Sequence, residues 1–140
     1  MKEEKLYRGY KIRLFPTPEQ EELMRKHSHA TRYVWNYMLS LQKKRHDAKS
    51  KYLSSIDMCK EITLMKRECE FSFLKEVSVH SLQYTCRDLD NAYKMFFNKK
   101  SGKPQFKKRK DGNFSFPVRT DKNATYFVSE EILQIPKIII

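Results

Sequence analysis

A regular apolar stripe between Ser78 and Phe97 constrains the fold of this chain more than any other feature of the sequence. Its members recur three or four positions apart over four turns: Leu82, Cys86, Leu89, Tyr93 and Phe96. That spacing places them on one face of an α-helix, and Ser78 is a suitable N-cap residue. The sequence therefore predicts its strongest helix here, beginning after Ser78 and ending near Phe97.

Further helices are predicted before this one. Thr17 and Gln20 form a capping box around Pro18, so a helix begins at Pro18. Its helical periodicity continues to Leu41, which is long for one helix, and a weak patch at residues 27–30 predicts a turn or kink that divides it in two. A third helix, capped by serines, has this predicted buried stripe: Ile56, Cys59, Ile62 and Met65.

Strand patterns flank the helical part. Residues 7–15 alternate between apolar and basic side chains, which is typical of a half-buried strand. Alternation returns at residues 114–118, 124–128 and 132–135, separated by two short polar turns. The predicted fold class is therefore α+β: an N-terminal strand, an inserted lobe of about four helices, and a small antiparallel sheet that pairs with the first strand.

Charge indicates the class of partner. Lys and Arg number 29 against 17 Asp and Glu, giving a net charge of +12, whose self-repulsion a polyanion would relieve. From Lys99 to Lys110 seven of twelve residues are cationic and none is acidic. A solvated surface loop is the alternative, but the density of charge and the ring among the cations favour nucleic-acid contact. The predicted contacts to the nucleic-acid backbone are Lys99, Lys100, Lys103, Phe106, Lys107, Lys108, Arg109 and Lys110.

Other classes of site are not supported by the sequence. No stretch approaches 18 apolar residues, so neither a membrane span nor a membrane partner is predicted. His27 and His29 stand two apart without completing a ligand set, and the histidines are interpreted as surface or capping residues. The carboxylates form no catalytic pair, so no catalytic residue, metal or cofactor is predicted. The three cysteines are interpreted as thiols of a reduced, cytosolic protein: Cys59, Cys69 and Cys86.

Motifs along nearly the whole chain resemble the TnpB (OrfB) proteins of bacterial insertion sequences. In order they are Tyr10–Glu21, Arg32–Asn36, Phe73–Val77, Leu82–Gln83, Leu89–Phe97, Gly102–Lys108 and Leu133–Lys137. This resemblance implies a transposon-encoded, RNA-guided DNA endonuclease family, ancestral to type V CRISPR effectors. In that family the N-terminal part is a helical recognition lobe inserted in a small β-barrel-like wedge, also described as the helix-turn-helix of a transposase.

The resemblance also implies a domain organisation. The expected boundaries are a wedge strand at 1–16, the helical recognition lobe at 17–98, a basic connector at 99–112 and wedge strands at 113–140. The family's RuvC-like nuclease and zinc ribbon would follow residue 140. We therefore expect an incomplete wedge, whose apolar sheet edge is available for self-association, and a fragment that binds without cutting.

By resemblance, the partners are a guide RNA and double-stranded DNA in the cytoplasm, at the nucleoid of a bacterium or archaeon. The helix after Ser78 occupies the position that contacts a short duplex motif, and this role is carried to Val79, His80 and Gln83, because Gln can pair bidentately with adenine. Three alternatives stay open. The chain could act as a stand-alone DNA-binding repressor derived from a transposase, as one part of a nuclease assembled with a separate RuvC chain, or as a non-functional truncated transposase.

Overall fold

The computed structural model describes residues 4–108, 115–118 and 125–135. In chain order the elements are α1 (Pro18–Asp47), α2 (Ser55–Met65), a 3-10 helix (Cys69–Glu76), α3 (Val79–Phe97), β1 (Tyr126–Phe127) and β2 (Leu133–Gln134). All of the helices in this part of the chain lie between residues 18 and 97, so the described structure is predominantly helical.

Helix α1 begins where the sequence predicts. The Thr17 side chain accepts a hydrogen bond from the Gln20 backbone N–H at 3.3 Å, and the Gln20 side chain accepts one from the Thr17 N–H at 2.8 Å. The predicted kink at residues 27–30 is wrong, since α1 is one helix of 30 residues. His27, Ser28 and Ala30 are buried, and these tertiary contacts outweigh the weak helix propensity of the patch.

The apolar stripe of α3 forms the centre of the core, as predicted. Leu82 and Leu89 are fully buried, Cys86 is 1% exposed, and Tyr93 is 6% exposed. Helix α3 packs against both α1 and α2. Part of the predicted α2 stripe is wrong, because Ile56 is 67% exposed while other α2 side chains supply the contact. The buried partners on α1 and α2 are Ala30, Val34, Met38, Leu39, Met58, Ile62 and Met65.

A buried carboxylate joins α2 to α3. Asp90 accepts a hydrogen bond from the Tyr52 hydroxyl at 2.6 Å and another from the Ser55 backbone N–H at 3.2 Å, in the first turn of α2. The Lys94 ammonium lies 3.5 Å from the same carboxylate. Asp90 is only 4% exposed, so its role is structural, because a buried carboxylate requires partners of this kind.

The predicted α+β fold class is wrong. Residues 7–15 form no strand, and the apolar side chains meant to face a sheet are open to solvent: Tyr10 is 80% exposed and Ile12 is 57% exposed. Residues 115–118 form no strand either. The described strands are two residues each, paired antiparallel with Tyr126 opposite Gln134. Alternation with a period of two specifies which side chains of a segment share a face. It does not specify a neighbouring strand whose backbone could form hydrogen bonds with that segment.

Parts of the predicted sheet cannot be compared with the structure. Phe114, residue 124 and residues 136–140, which include the expected apolar edge, lie outside the described residues. Within the described part, residues 12–17 and 127–135 face one another across an open cavity of about 720 Å³. No backbone hydrogen bond joins them among the residues described, so the two segments are neighbours and do not form a sheet.

Candidate nucleic-acid interface

The predicted basic segment is described from residue 99 to residue 108, and this stretch is called the basic strap below. Its five lysines are all exposed: Lys99, Lys100, Lys103, Lys107 and Lys108. Arg109 and Lys110, also predicted to contact the backbone of nucleic acid, lie outside the described residues. None of the ion pairs found in the described part of the chain involves a lysine of the strap.

The basic strap is attached to α1 through its backbone. The Asn36 side-chain amide donates to the Lys107 carbonyl at 2.9 Å and accepts from the Lys107 N–H at 2.8 Å. The indole N–H of the preceding residue, Trp35, donates to the Gln105 carbonyl at 2.8 Å. Because these bonds use backbone atoms of the strap, its lysine side chains remain available for other partners.

Two cation–π contacts accompany these hydrogen bonds. The Lys107 ammonium lies 4.5 Å from the centre of the Trp35 ring, and the Lys43 ammonium of α1 lies 4.4 Å from the centre of the Phe106 ring. Phe106 was predicted to serve as a stacking or anchoring ring, and here it contacts a cation of α1 while remaining 44% exposed. Such contacts hold an ammonium group close to an aromatic face without neutralising its charge.

Residues 115–118, the next part of the chain that the structure describes after the strap, lie beside α1 and the start of α3. The Phe116 ring centre lies 5.1 Å from that of His27, and the Ser81 hydroxyl donates to the Pro117 carbonyl at 2.6 Å. The strap therefore contacts the middle and the C-terminal half of α1, through Trp35, Asn36 and Lys43. Residues 115–118 contact α1 nearer its N-terminus, at His27, and Pro117 lies beside the first turn of α3.

The basic strap begins at a sharply defined helix end. Lys99 has a φ of 59°, in the left-handed region, and follows the C-cap of α3. The Lys99 N–H donates to the Phe96 carbonyl at 3.0 Å and the Lys100 N–H donates to the Met95 carbonyl at 2.9 Å. This pair of bonds is a Schellman motif, which usually has glycine at the left-handed position.

A cavity of about 330 Å³ separates α1 from the basic strap. Arg32 of α1 lines it together with Lys107 and Lys108 of the strap, and no carboxylate is among the described residues of its wall. Three cations around one cavity give a local positive potential, which suits a phosphate group.

The residues predicted to contact a DNA motif lie on the first turn and a half of α3. Val79 is 41% exposed, His80 is half-buried and Gln83 is exposed. Positions 79 and 83 share a helix face, as do positions 80 and 83, so the structure brings the three together on one surface. They are not part of the strap surface, which is built on α1.

His27 positions this end of α3. Its Nδ1 donates to the Leu23 carbonyl at 2.8 Å, and its Nε2 accepts from the Ser78 backbone N–H at 3.1 Å. Only the neutral tautomer with the proton on Nδ1 can make both bonds, because the carbonyl cannot donate and the amide cannot accept. His27 is fully buried, so it is not a surface histidine; its ring instead satisfies the backbone N–H of Ser78, the residue that precedes α3.

The cysteines show no sign of a metal site. Burial raises the pKa of the Cys86 thiol, and it raises that of Cys59 to a smaller extent, so both thiols are kept protonated. Cys69 is exposed on the 3-10 helix. In the part of the chain that the structure describes, no three His, Cys, Asp or Glu side chains are grouped to hold a metal ion.

Sequence reasoning missed the α1 residues that contact the strap or line the cavity beside it: Arg32, Trp35, Asn36 and Lys43. A signal was present for one of them, since Asn is a poor helix former and Asn36 stands inside a strongly periodic helix. The Arg32–Asn36 segment also carried part of the family resemblance. No local pattern, however, links these residues to a strap about 70 positions later in the chain.

Comparison with known proteins supports the resemblance. Residues 1–51 match the family model described as a helix-turn-helix domain of OrfB proteins from IS605 elements. The "Putative RNA-guided DNA endonuclease InsQ" of Escherichia coli (strain K12) is 35% identical over 114 residues, which cover 81% of this chain and 28% of that protein. A "Putative RNA-guided DNA endonuclease" of Streptomyces pristinaespiralis is 32% identical over 108 residues, covering 77% of this chain and 27% of the relative.

These matches extend well beyond the segment that the family model covers. Within residues 4–51 the structure has one uninterrupted helix, so the helix-turn-helix description names the family and does not match the geometry of this segment. No helix among the described residues is long and apolar enough to cross a bilayer. The chain spans little more than a quarter of the length of either relative. Through the family match and these relatives, the chain belongs to the OrfB (TnpB) family, as its motifs predicted.

Proposed function

We propose that this chain binds nucleic acid as a region of an RNA-guided DNA endonuclease, with the basic strap on the phosphate backbone of a guide RNA. The first turn of α3 contacts a short duplex motif beside the DNA target. The observation that carries this proposal is the attachment of the strap to α1 by Asn36 and Trp35. An unattached loop would have to lose its conformational freedom on binding, whereas an attached strap presents its lysines already in place.

Phosphate contacts of this kind provide affinity and register. If most of the seven cations between Lys99 and Lys110 meet phosphate on a duplex, counterion release gives a log–log salt slope of roughly −5 to −6. Such contacts carry no sequence information by themselves. Choice of sequence therefore requires a second surface, and the exposed side chains at the start of α3 are suited to it.

Gln83 is the proposed base-contacting residue on that second surface. Its amide can donate to and accept from the major-groove edge of adenine in a bidentate arrangement. In this proposal Val79 and His80, on the adjoining positions of the same surface, contact neighbouring groups of the duplex. The support is that the three residues share one helix face, on which Val79 and Gln83 are exposed and His80 is half-buried, together with the resemblance of the Leu82–Gln83 segment to the family.

Charge reversal in the strap tests the backbone contact. Binding of a fluorescent RNA transcript and of a DNA duplex is measured by anisotropy from 50 to 300 mM salt, for Lys107→Glu/Lys108→Glu and for a matched control, Lys60→Glu/Arg67→Glu. The control changes the net charge equally, at exposed positions that line neither of the cavities beside the strap. We expect the strap variant alone to lose affinity for all sequences and to show a shallower salt slope. Unchanged affinity of the strap variant at moderate salt would show that the strap does not contact phosphate.

A separate experiment tests the base contact. Gln83→Ala is expected to reduce discrimination at one base pair of the target-adjacent motif by about 1–3 kcal/mol, while affinity for unrelated sequences stays the same. A panel of duplexes that vary in this motif measures the effect. A uniform loss over the panel would show that Gln83 supports the fold instead. Tight duplex binding without any transcript would favour the stand-alone repressor over the guided endonuclease.

A further inference from the structure

A second cavity, separate from the one under the strap, lies where α1 and α3 end. It has a volume of about 570 Å³ and opens beside the first residues of the basic strap. Four aromatic residues form much of its wall: Tyr52, Tyr93, Phe96 and Phe97. Phe97 is 57% exposed although it is a large apolar side chain, so a hydrophobic surface remains open at the mouth of the cavity.

The aromatic wall is held in a fixed arrangement. The Phe97 ring centre lies 5.6 Å from that of Tyr52 and 5.8 Å from that of Tyr93, and these two tyrosines are 5.7 Å apart. The Tyr52 hydroxyl donates to the buried Asp90 carboxylate. Burial and this hydrogen bond raise the pKa of Tyr52, so its hydroxyl stays protonated and remains a donor to Asp90.

Cations surround this apolar wall. Lys43 and Arg45 of α1 line the cavity together with Lys103 of the strap. Both α1 cations are positioned by other contacts, because Lys43 lies over the Phe106 ring and the Arg45 Nε donates to the Lys51 carbonyl at 2.7 Å. Asp47, which also lines the cavity, supplies a carboxylate that can accept a hydrogen bond from an amino group.

We propose that this cavity binds one unpaired nucleobase of a single-stranded nucleic acid, stacked on Phe97, with the adjoining phosphate held by Lys43, Arg45 and Lys103. The combination of an aromatic face and clustered cations is the one that single-stranded nucleic acid requires. The volume falls in the range of cavities that hold small ligands, and an unpaired nucleotide is of that size. The inference rests on the proposed function, because a strand that follows the basic strap passes the mouth of this cavity.

Charge distinguishes this occupant from the alternatives. A second copy of the chain would bring another +12 of charge toward a rim of cations. An apolar protein segment would cover Phe97 but would leave the three cations with only the Asp47 carboxylate of the cavity wall as counter-charge. A nucleotide satisfies both the rings and the cations. Stacking tolerates any base, so the cavity adds preference for unpaired strands without adding preference for sequence.

The test compares single strands with a duplex. Single-stranded RNA and single-stranded DNA of one sequence, each carrying one 2-aminopurine, and a blunt duplex of the same length are titrated with the whole chain. The variants are Phe97→Ala, Phe97→Tyr and the control Phe15→Ala, which removes an 83% exposed ring at the opposite end of α1. We expect Phe97→Ala to bind the single strands about 5- to 100-fold more weakly. Its duplex affinity should be unchanged, and the quenching of 2-aminopurine should be lost.

Each outcome decides a specific point. Retained single-strand binding in Phe97→Tyr would support the stacking role, provided that Phe97→Ala still shows a cooperative thermal transition and is therefore folded. The two single-stranded oligonucleotides show whether the cavity binds RNA, DNA or both. Equal single-strand affinity in Phe97→Ala and the wild type would overturn the inference while leaving the strap proposal intact. Self-association that Phe97→Ala abolishes would assign the cavity to a second copy and overturn it also. A wild type that binds no nucleic acid would refute the proposed function itself.

Discussion

Asn36 on α1 and Lys107 on the basic strap are joined by two hydrogen bonds between a side-chain amide and one peptide unit. The amide donates to the Lys107 carbonyl and accepts from its N–H, at 2.9 and 2.8 Å. A carboxylate could only accept and a lysine could only donate, so the amide group is what matches both backbone groups. These two hydrogen bonds thereby fix a charged segment through its backbone and do not involve its ammonium groups.

Loss of the Asn36 amide should release the strap. In Asn36→Ala two exposed hydrogen bonds disappear, which costs about 1–2 kcal/mol, and the gain in helix propensity offsets part of this loss. We expect a small change in the denaturant midpoint but clearly weaker RNA binding, although no cation is removed. Asn91→Ala, which makes the same change at an exposed position on α3, is the control. Wild-type RNA affinity in Asn36→Ala would contradict a positioning role for this residue.

The left-handed lysines at two helix ends provide a matched pair of variants. Lys49 has a φ of 55° after α1, and Lys99 has a φ of 59° after α3. Since an L side chain is disfavoured in this conformation, Lys49→Gly and Lys99→Gly should each raise the free energy of unfolding by about 0.5–1 kcal/mol. Only Lys99→Gly should also weaken RNA binding and make the salt slope shallower by about 1. Equal binding by the two variants would remove Lys99 from the interface.

His27 should prove important for stability and for the position of the first turn of α3. His27→Ala removes the acceptor of the Ser78 N–H and opens a cavity beside Phe116, so we expect a loss of about 2–4 kcal/mol in urea unfolding. His46→Ala, at an exposed position near the end of the same helix, should cost less than 0.5 kcal/mol. Similar midpoints for the two variants would show that the contact of His27 with Ser78 contributes little.

The three thiols should differ in reactivity toward Ellman's reagent. Thiolate is the nucleophile, and burial raises the pKa of the Cys86 thiol and of the Cys59 thiol, so neither ionises readily near neutral pH. Exposed Cys69 should react first in the native protein at pH 8. Cys86 should react only after urea unfolds the chain, and raising the pH to 9 should not make it react in the folded state. In the native state the Cys86→Ser variant should react with the reagent to the same extent as the wild type, because Cys86 does not contribute to the native reaction. A smaller extent in the variant would contradict this prediction.

The helical part of this structure could be predicted because its signals are local. The Thr17–Gln20 capping box and the α3 stripe each specify an element from residues within a few turns. The kink at residues 27–30 was predicted wrongly, since that patch is held in a helix by the distant Ser78 N–H. The strand at residues 7–15 was predicted wrongly because alternation contains no information about a pairing partner.

The candidate site, like the fold, could be predicted from local signals but not from contacts between distant residues. Clustered charge predicts nucleic-acid contact for the strap lysines, which are exposed in the structure, and the family resemblance predicts a DNA contact at the start of α3. Asn36 and Trp35 were missed, because their partners lie 71 and 70 residues away and no local pattern encodes such a contact. Phe97 adjoins the predicted stripe, but only the folded structure shows that it borders a cavity with Tyr52 and Lys103.

The contacts of Trp35 and Asn36 with the strap have a consequence for the order of folding. A contact between residues 70 positions apart closes a long loop, so it is entropically costly until the intervening helices have packed. We therefore expect the strap to be the last part of this unit to dock and the first to detach when local stability falls. A nucleic acid that bound only the docked form would shift this equilibrium toward it, so the proposed ligand would complete the folding of its own binding surface.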